Sequence, residues 1–511
     1  VHKFIDSLRV PSRYLTLFYG ITLGLALILA LLAIILHANA APAMVDIPAT
    51  QVGPSHDITP AHKSTQIQSK STPASLPAIP PTPNEKTPSS LGVTASELNG
   101  VQVSLWHPWT GAERETLENI LDEFNNTNPW GITVQVGGFE GFGRLDEAVE
   151  LALLANTQPD VVVDYGYQAN HWDGVEALVD MTPYVNDPVW GFSKDEQADF
   201  LPAFWEEDIV TDNNTGQTRR LGIPFYRSAY VFFYNQSWAQ ELGFPQPPIT
   251  AEDFRVRACA AAQFISEQGD KSSLGKGGWL ITPQPGVLAG WINAFGGGMI
   301  DPDAPGYLFN TPGTKQTFNY LKGLQNSGCA WSDPALDPQA EFSNRHTLFV
   351  VGSLFDIPAQ QEAFNQAGSH DEWKIIAFPS SSQPVVDTYG PSLSITRSNP
   401  TEQLAAWLVT QWLVYPPNQS EWVKVQGTFP SRMSALEYLM ASEADNPQWA
   451  QALELLPDAR SEPSLSSWKM MRWALEDVMS QLFDPKFELD QIPLLLEKLD
   501  DIADEIYSQV Y

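Results

Sequence analysis

Apolar residues alternate at Val101, Val103 and Leu105, then recur at helical spacing at Leu117, Ile120, Leu121 and Phe124. A switch from period 2 to period 3.6 predicts a strand followed by a helix. Thr110-Gly-Ala-Glu113, between them, has the form of a capping box. The alternation repeats. Ile132, Val134 and Val136 read as a strand, Leu145, Ala148, Val149 and Ala152 as a helix, and Asp160-Val-Val-Val163-Asp164 as a third strand. This βαβαβ order predicts a parallel sheet covered by helices. Ligands on such sheets collect beyond the carboxyl ends of the strands. The loops at 107–109, 137–143 and 165–171 are therefore expected to share one rim.

Further on, Pro224 opens a run from Phe225 to Tyr234 that is apolar on both faces, as in a central strand buried on both sides. A short helix capped by Ser237 and ending at Gly243 is expected next. Thr250-Ala-Glu-Asp253 then starts another helix in capping-box form. At the other end of the chain, Tyr14–Leu36 carries no charge and follows Lys3, Arg9 and Arg13. That segment is long enough to span a bilayer with its basic flank inside. Ala38-Asn39-Ala40 also has the form of a cleavage site, but a retained anchor is favoured over a cleaved signal within residues 1–40. Either way the body is extracytoplasmic. Residues 41–98, rich in Pro, Ser, Thr and Ala without hydrophobic periodicity, read as a disordered tether.

A chain of 511 residues is too long for one compact core, so two lobes are expected. The net charge of −32 argues against nucleic-acid binding, which needs a basic surface. Two cysteines, Cys259 and Cys329, lie outside any zinc-ligand or CxxC spacing. Outside the cytoplasm oxidation is permitted, and a structural disulfide is favoured over two free thiols. Gly141-Phe-Gly143-Arg-Leu-Asp146 lacks the third glycine of a dinucleotide fingerprint, and Ser272-Ser-Leu-Gly-Lys276-Gly277 lacks the first glycine and the Ser/Thr of a P-loop. Asp301-Pro-Asp303 begins like a calcium loop but has Pro312 where the bidentate Glu belongs. No metal site, cofactor or tuned acid–base pair is expected.

The stretch Leu221–Phe254 carries a more specific signal: a proline and aromatics precede Tyr234-Asn235, then Gly243, then Pro247-Pro248. Trp106-His-Pro-Trp109-Thr-Gly111, Pro159-Asp160, Trp291-Ile-Asn-Ala-Phe-Gly296-Gly297, Ala377-Phe-Pro379 and Gly427-Thr-Phe-Pro430-Ser-Arg432 accompany it in order. Together these resemble family 1 extracellular solute-binding proteins, the ligand-capturing subunits of ABC importers, of the maltose-binding-protein-like carbohydrate type. The likeness covers roughly residues 101–508. One departure is Arg345-His346, where the family often has glycine before a strand.

The resemblance implies an α/β, two-lobed periplasmic-binding-protein-like fold of type II, with hinge crossovers near 226–231 and 388–393. Lobe one is expected over 99–226 and 392–430, lobe two over 232–386, with C-terminal helices (433–511) packing on the lobes. It also implies a monomer that captures a sugar or oligosaccharide without catalysis and hands it to a permease. A binder of glycerol phosphates or polyols is the alternative, and an exported carbohydrate-active enzyme the remaining one.

Sugars present apolar C–H faces, so a chain with Trp 17, Tyr 15 and Phe 25 is well supplied with flat partners. The rim loops offer Trp109, Phe142, Tyr165, Tyr167 and Gln168, and the hinge offers Tyr226, Arg227 and Tyr389. From lobe two, Trp279 after Gly277-Gly278, and Trp291 with Phe295 and Gly297, are candidates because small residues permit close approach. Ser353 and Asp356 are candidates by resemblance alone. Arg227 can equally be a structural ion pair, and Asp356 a helix cap.

Overall fold

The computed structural model describes residues 89–211, 215–268, 276–380, 384–439 and 446–510. The expected anchor at 14–36 and most of the tether lie outside the described residues, and no described helix is long and apolar enough to cross a membrane.

The alternation at the start of the body forms β1 (Gln102–His107), which buries Val103, Leu105 and His107. Helix α1 (Gly111–Thr127) turns Leu117, Ile120, Leu121 and Phe124 inward, although Thr110 makes no side-chain cap bond. Next come β2 (Thr133–Gly138), α2 (Phe142–Ala155), β3 (Val161–Asp164) and α3 (Gly166–Gly174). Helix α4 (Pro202–Glu207) leads through the β4–β5 hairpin (Ile209–Thr211, Thr218–Arg220) to β6 (Gly222–Pro224).

One residue later β7 (Tyr226–Asn235) starts a second sheet and is buried along its whole length. Tyr226 packs in the core of lobe one, whereas Tyr230 and Phe232 pack in the core of lobe two, so the chain crosses between them. Helices α5 (Gln236–Glu241), α6 (Ala251–Glu267) and α7 (Pro285–Ala294) interleave with β8 (Gly277–Leu280). The α5 cap is Asn235, whose side chain accepts from the Trp238 amide at 2.9 Å, and not Ser237. The Thr250–Asp253 capping box is present. Strands β9 (Ala330–Trp331), β10 (Thr347–Ser353), β11 (Trp373–Ile376) and β12 (Val386–Tyr389) follow. Just before β10, Arg345 adopts φ 58, a left-handed conformation suited to glycine. Its guanidinium is held by Asp371 at 2.6 Å and by Glu241 at 2.8 Å, which offsets the backbone cost.

The chain then returns to the first sheet as β13 (Ser392–Ile395), followed by α8 (Pro400–Leu413) and α9 (Pro416–Gln426). It crosses a third time at β14 (Phe429–Pro430), which pairs with β7 at Tyr226 and Arg227. Strand β15 (Ala459–Ser461) and helices α10 (Trp468–Leu482) and α11 (Ile492–Ser508) complete it. Sheet one runs β2-β1-β3-β13-β6 and sheet two runs β15-β12-β7-β10-β8-β9, with β11 and β14 also on β7. Strands β1, β2 and β3 are parallel, so their carboxyl ends share one rim. The C-terminal helices pack on lobe two, where Met471, Leu475 and Leu496 join Trp279 and Phe349 in one core.

Two boundaries differ further from expectation. Residues 89–98 are structured: Ser89 and Ser90 donate to Asp187, and Val93 and Leu98 bury into lobe one. Lobe two includes β15 and the C-terminal helices as well as the central stretch. Cys259 in α6 and Cys329 beside β9 form a disulfide with a Cα separation of 4.4 Å.

Candidate functional site

The parallel strands of sheet one end at His107, Gly138 and Asp164, and lobe two brings Tyr230 on β7 and Tyr389 on β12. Phe142 and Tyr165 lie 4.6 Å apart by ring centroid, and Tyr165 stacks on Tyr167 at 5.7 Å. From lobe two, Tyr230 and Tyr389 meet at 4.8 Å, and Phe355 touches both Tyr389 (6.5 Å) and Tyr226 (6.4 Å). Burial, with the phenols of Tyr226 and Tyr389 close by, pushes the Tyr165 phenol well above its usual value. The two sets of rings thus form one collar where the lobes meet. Tyr167 packs against the core of lobe two although it belongs to lobe one.

Polar groups border the collar. Glu462 accepts from Arg472 at 2.5 and 2.7 Å and from the Trp468 indole at 3.0 Å. Its charge is felt by Tyr165, Tyr167 and Tyr389. Arg472 also reaches the Tyr230 phenol. Glu462 also lines a cavity of about 510 Å³ between the lobes, with Glu206, Glu207 and Ile209 of lobe one and Asn293, Met299 and Arg460 of lobe two. Flat rings with hydroxyl tips and charged groups alongside suit a molecule with apolar faces and hydroxylated edges.

Of the residues expected from sequence, Phe142, Tyr165, Tyr167, Tyr226 and Tyr389 are brought together here. Trp109 is placed just behind: it is 7% exposed, 4.4 Å from Trp422, and its indole meets the Tyr226 phenol. Gln168 is used locally, its Oε1 accepting the Tyr165 amide at 2.9 Å to cap α3.

Arg227 is structural. It is fully buried, with Nε 2.8 Å from Glu207, Nη1 2.7 Å from the Pro391 carbonyl and Nη2 3.0 Å from the Ser392 hydroxyl. It clasps the first two of the three chain crossings and leaves no fork for a ligand. Burial lifts the Glu207 carboxyl to about 7 against the pull of Arg227.

Trp279 and Trp291 are corrected outright. Both are fully buried in the lobe-two core, packed with Phe232, Phe254 and each other. The glycines before Trp279 serve close packing: a Cβ on Gly278 would lie 1.9 Å from the Cys329 carbonyl oxygen. Phe295 packs on Trp291 and Tyr320, and a Cβ on Gly297 would lie 2.7 Å from Ile292 and Thr314. Asp356 caps a turn, accepting from the Ser353 amide at 2.7 Å and hydroxyl at 2.9 Å, while that hydroxyl lies beside the Tyr389 phenol.

Tyr230, Phe355, Glu462 and Arg472 escaped the sequence reading. Period 2 along β7 places Tyr230 on the face of Tyr226, a signal that was there to use. Phe355, 38% exposed beside Ser353, had the weaker signal of a lone aromatic in a small-residue loop. Glu462 and Arg472 reach the site from the C-terminal segment, which no local pattern links to it.

A family model described as "Bacterial extracellular solute-binding protein" matches residues 119–455. Among solved structures, the sugar-binding protein MalE of Xanthomonas citri is 19% identical, with TM-score 0.68 over 80% of this chain and 98% of that one. A cyclic alpha-maltosyl-1,6-maltose binding protein from Arthrobacter globiformis is 17% identical, with TM-score 0.65 over 80% and 99%. UgpB from Mycobacterium tuberculosis, solved with glycerophosphocholine, is 17% identical, with TM-score 0.61 over 80% and 99%. These likenesses establish the two-lobed fold.

Proposed function

Because the chain belongs to the bacterial extracellular solute-binding protein family, we propose that it captures a sugar or short oligosaccharide between its lobes and delivers it to the permease of an ABC importer. The observation that carries this reading is the tyrosine-rich collar contributed by both lobes, with a cavity of about 510 Å³ between the lobes that shares Glu462 with it. Rings from two lobes grip a flat ligand only when the lobes approach, so ligand shifts the open–closed equilibrium by its differential affinity. The protein acts as a monomer and breaks no bond in its ligand. Residues 14–36 hold the body at the membrane.

A thermal-shift screen of sugars, polyols and glycerophosphodiesters tests this, since a ligand that binds only the folded state raises the melting temperature. At a hundredfold excess over Kd, stabilisation of about 2.7 kcal/mol is expected for a sugar. A shift with glycerophosphodiesters alone moves the assignment to that class. Cleaved sugar recovered after long incubation overturns the binding-only reading.

A further inference from the structure

Among the described residues, one stretch of the C-terminal segment makes three polar bonds to lobe one, the first of them next to the hinge clasp, since Ser461 also bonds the Glu207 carboxylate. The Ser461 hydroxyl donates to the Ala203 carbonyl at 3.1 Å, the Asn170 amide donates to the Ser464 carbonyl at 2.6 Å, and Lys469 Nζ lies 2.8 Å from Asp146 Oδ2. The stretch itself is fixed to lobe two. Ser461 ends β15, which pairs with β12, and Trp468 is buried in the lobe-two core. Asp146 and Asn170 stand on α2 and α3, the helices that carry Phe142 and Tyr167 of the collar. The bonds therefore act directly on the helices that bring the lobe-one rings to the site.

We propose that residues 461–469 are a closing strap, with Lys469 and Asp146 the positioning pair that draws lobe one onto lobe two for ligand capture. This rests on the capture reading given above. The Lys469 side chain is 46% exposed and Asp146 16%, so the pair is weak enough to open, as repeated capture and release requires. Neither residue belongs to the collar. Their effect is on how often the collar is assembled. The two uncharged bonds at Ser461 and Asn170 fix the register in which it assembles.

Hydrogen–deuterium exchange of the full chain without ligand tests the strap. Lys469→Met and Asp146→Ala are each expected to speed exchange in peptides covering 165–170 and 461–469 about two- to fivefold. The thermal midpoint should stay at the parental value. Exchanging the charges, Asp146→Lys with Lys469→Asp, should restore parental exchange, and Asn170→Ala should speed it independently. Parental exchange rates in both single variants overturn the proposal, as does a charge exchange that leaves exchange fast. Maltose titration then reads the consequence, a two- to fivefold loss of affinity in the single variants. If the parent binds no maltose or other sugar, the capture reading fails while the exchange result still decides the strap.

Discussion

The aromatic core of lobe two and the aromatic collar between the lobes draw on the same residue class and do opposite things. The core is centred on Trp279, Trp291, Phe232, Phe254 and Phe349, fully buried rings that meet edge-on or tilted, with Tyr234 stacked on Phe349. The collar is dominated by tyrosines, Tyr165, Tyr167, Tyr226, Tyr230 and Tyr389, with charged Glu462 and Arg472 alongside. A phenol supplies a flat face and a polar tip, so it can line a place that is sometimes wet. Abundance of aromatics signals both regions, and what sets the collar apart is its concentration of phenols beside a charged pair.

The largest effects should come from the core. Trp279→Ala or Trp291→Ala should cost about 3–5 kcal/mol of stability by leaving a cavity, with sugar affinity unchanged in whatever folds. Chemical denaturation paired with calorimetric titration checks this, and lost affinity without lost stability would return these rings to the site. Next is the Cys259–Cys329 bond, which closes a loop of sequence separation 70 in the same lobe. Its removal as a double serine variant should cost on the order of 4 kcal/mol in the chain-entropy model. Unfolding curves of the two forms measure it.

A third test concerns the hinge, between the two regions. The Glu207 carboxyl is raised to about 7 by burial, so between the two values the folded state holds a proton that the unfolded chain releases near the ordinary carboxyl value of 4.5. Stability from this group is therefore present at low pH and falls as pH rises from about 4.5 through about 7, by about 3 kcal/mol in all. The buried Asp208 carboxyl is also raised and adds in the same direction. Glu207→Gln should flatten the fall measured by denaturant titration between pH 5 and pH 8. Smallest are the collar substitutions. Tyr165→Ala or Tyr389→Ala should weaken sugar binding by about 1–3 kcal/mol, judged from ring stacking on other flat ligands, at less cost to stability than the tryptophans. Equal damage to stability and binding would erase the distinction between collar and core.

Much of the architecture was legible because it rests on local periodicity. The first three strands, the helices between them and the fully buried β7 follow from spacing alone. Lobe-one candidates at strand ends were legible for the same reason, since parallel strands put their exits on one rim. The lobe-two candidates were not. Gly277-Gly278 before Trp279 fits either a ring turned toward a ligand or a backbone packed tightly on its neighbour, and only the Cys329 carbonyl above Gly278 decides it. Arg227 was ambiguous because its partners, Glu207 and Ser392, come from two separate parts of the chain. Arg345 shows the converse: a conformation that glycine usually supplies is reached here through two carboxylates that sequence spacing does not reveal.

The strand order of sheet one has a consequence for the birth of the protein. Strand β13 lies between β3 and β6, so β6 has no partner in that sheet until residues 392–395 have been made. Lobe two waits longer still, because β15 and the two last helices complete its edge and its core. Neither lobe can finish folding while the chain is being threaded out in order. Until those residues are made, each lobe lacks elements that complete its sheet or its core, so neither can close from its earlier segments alone.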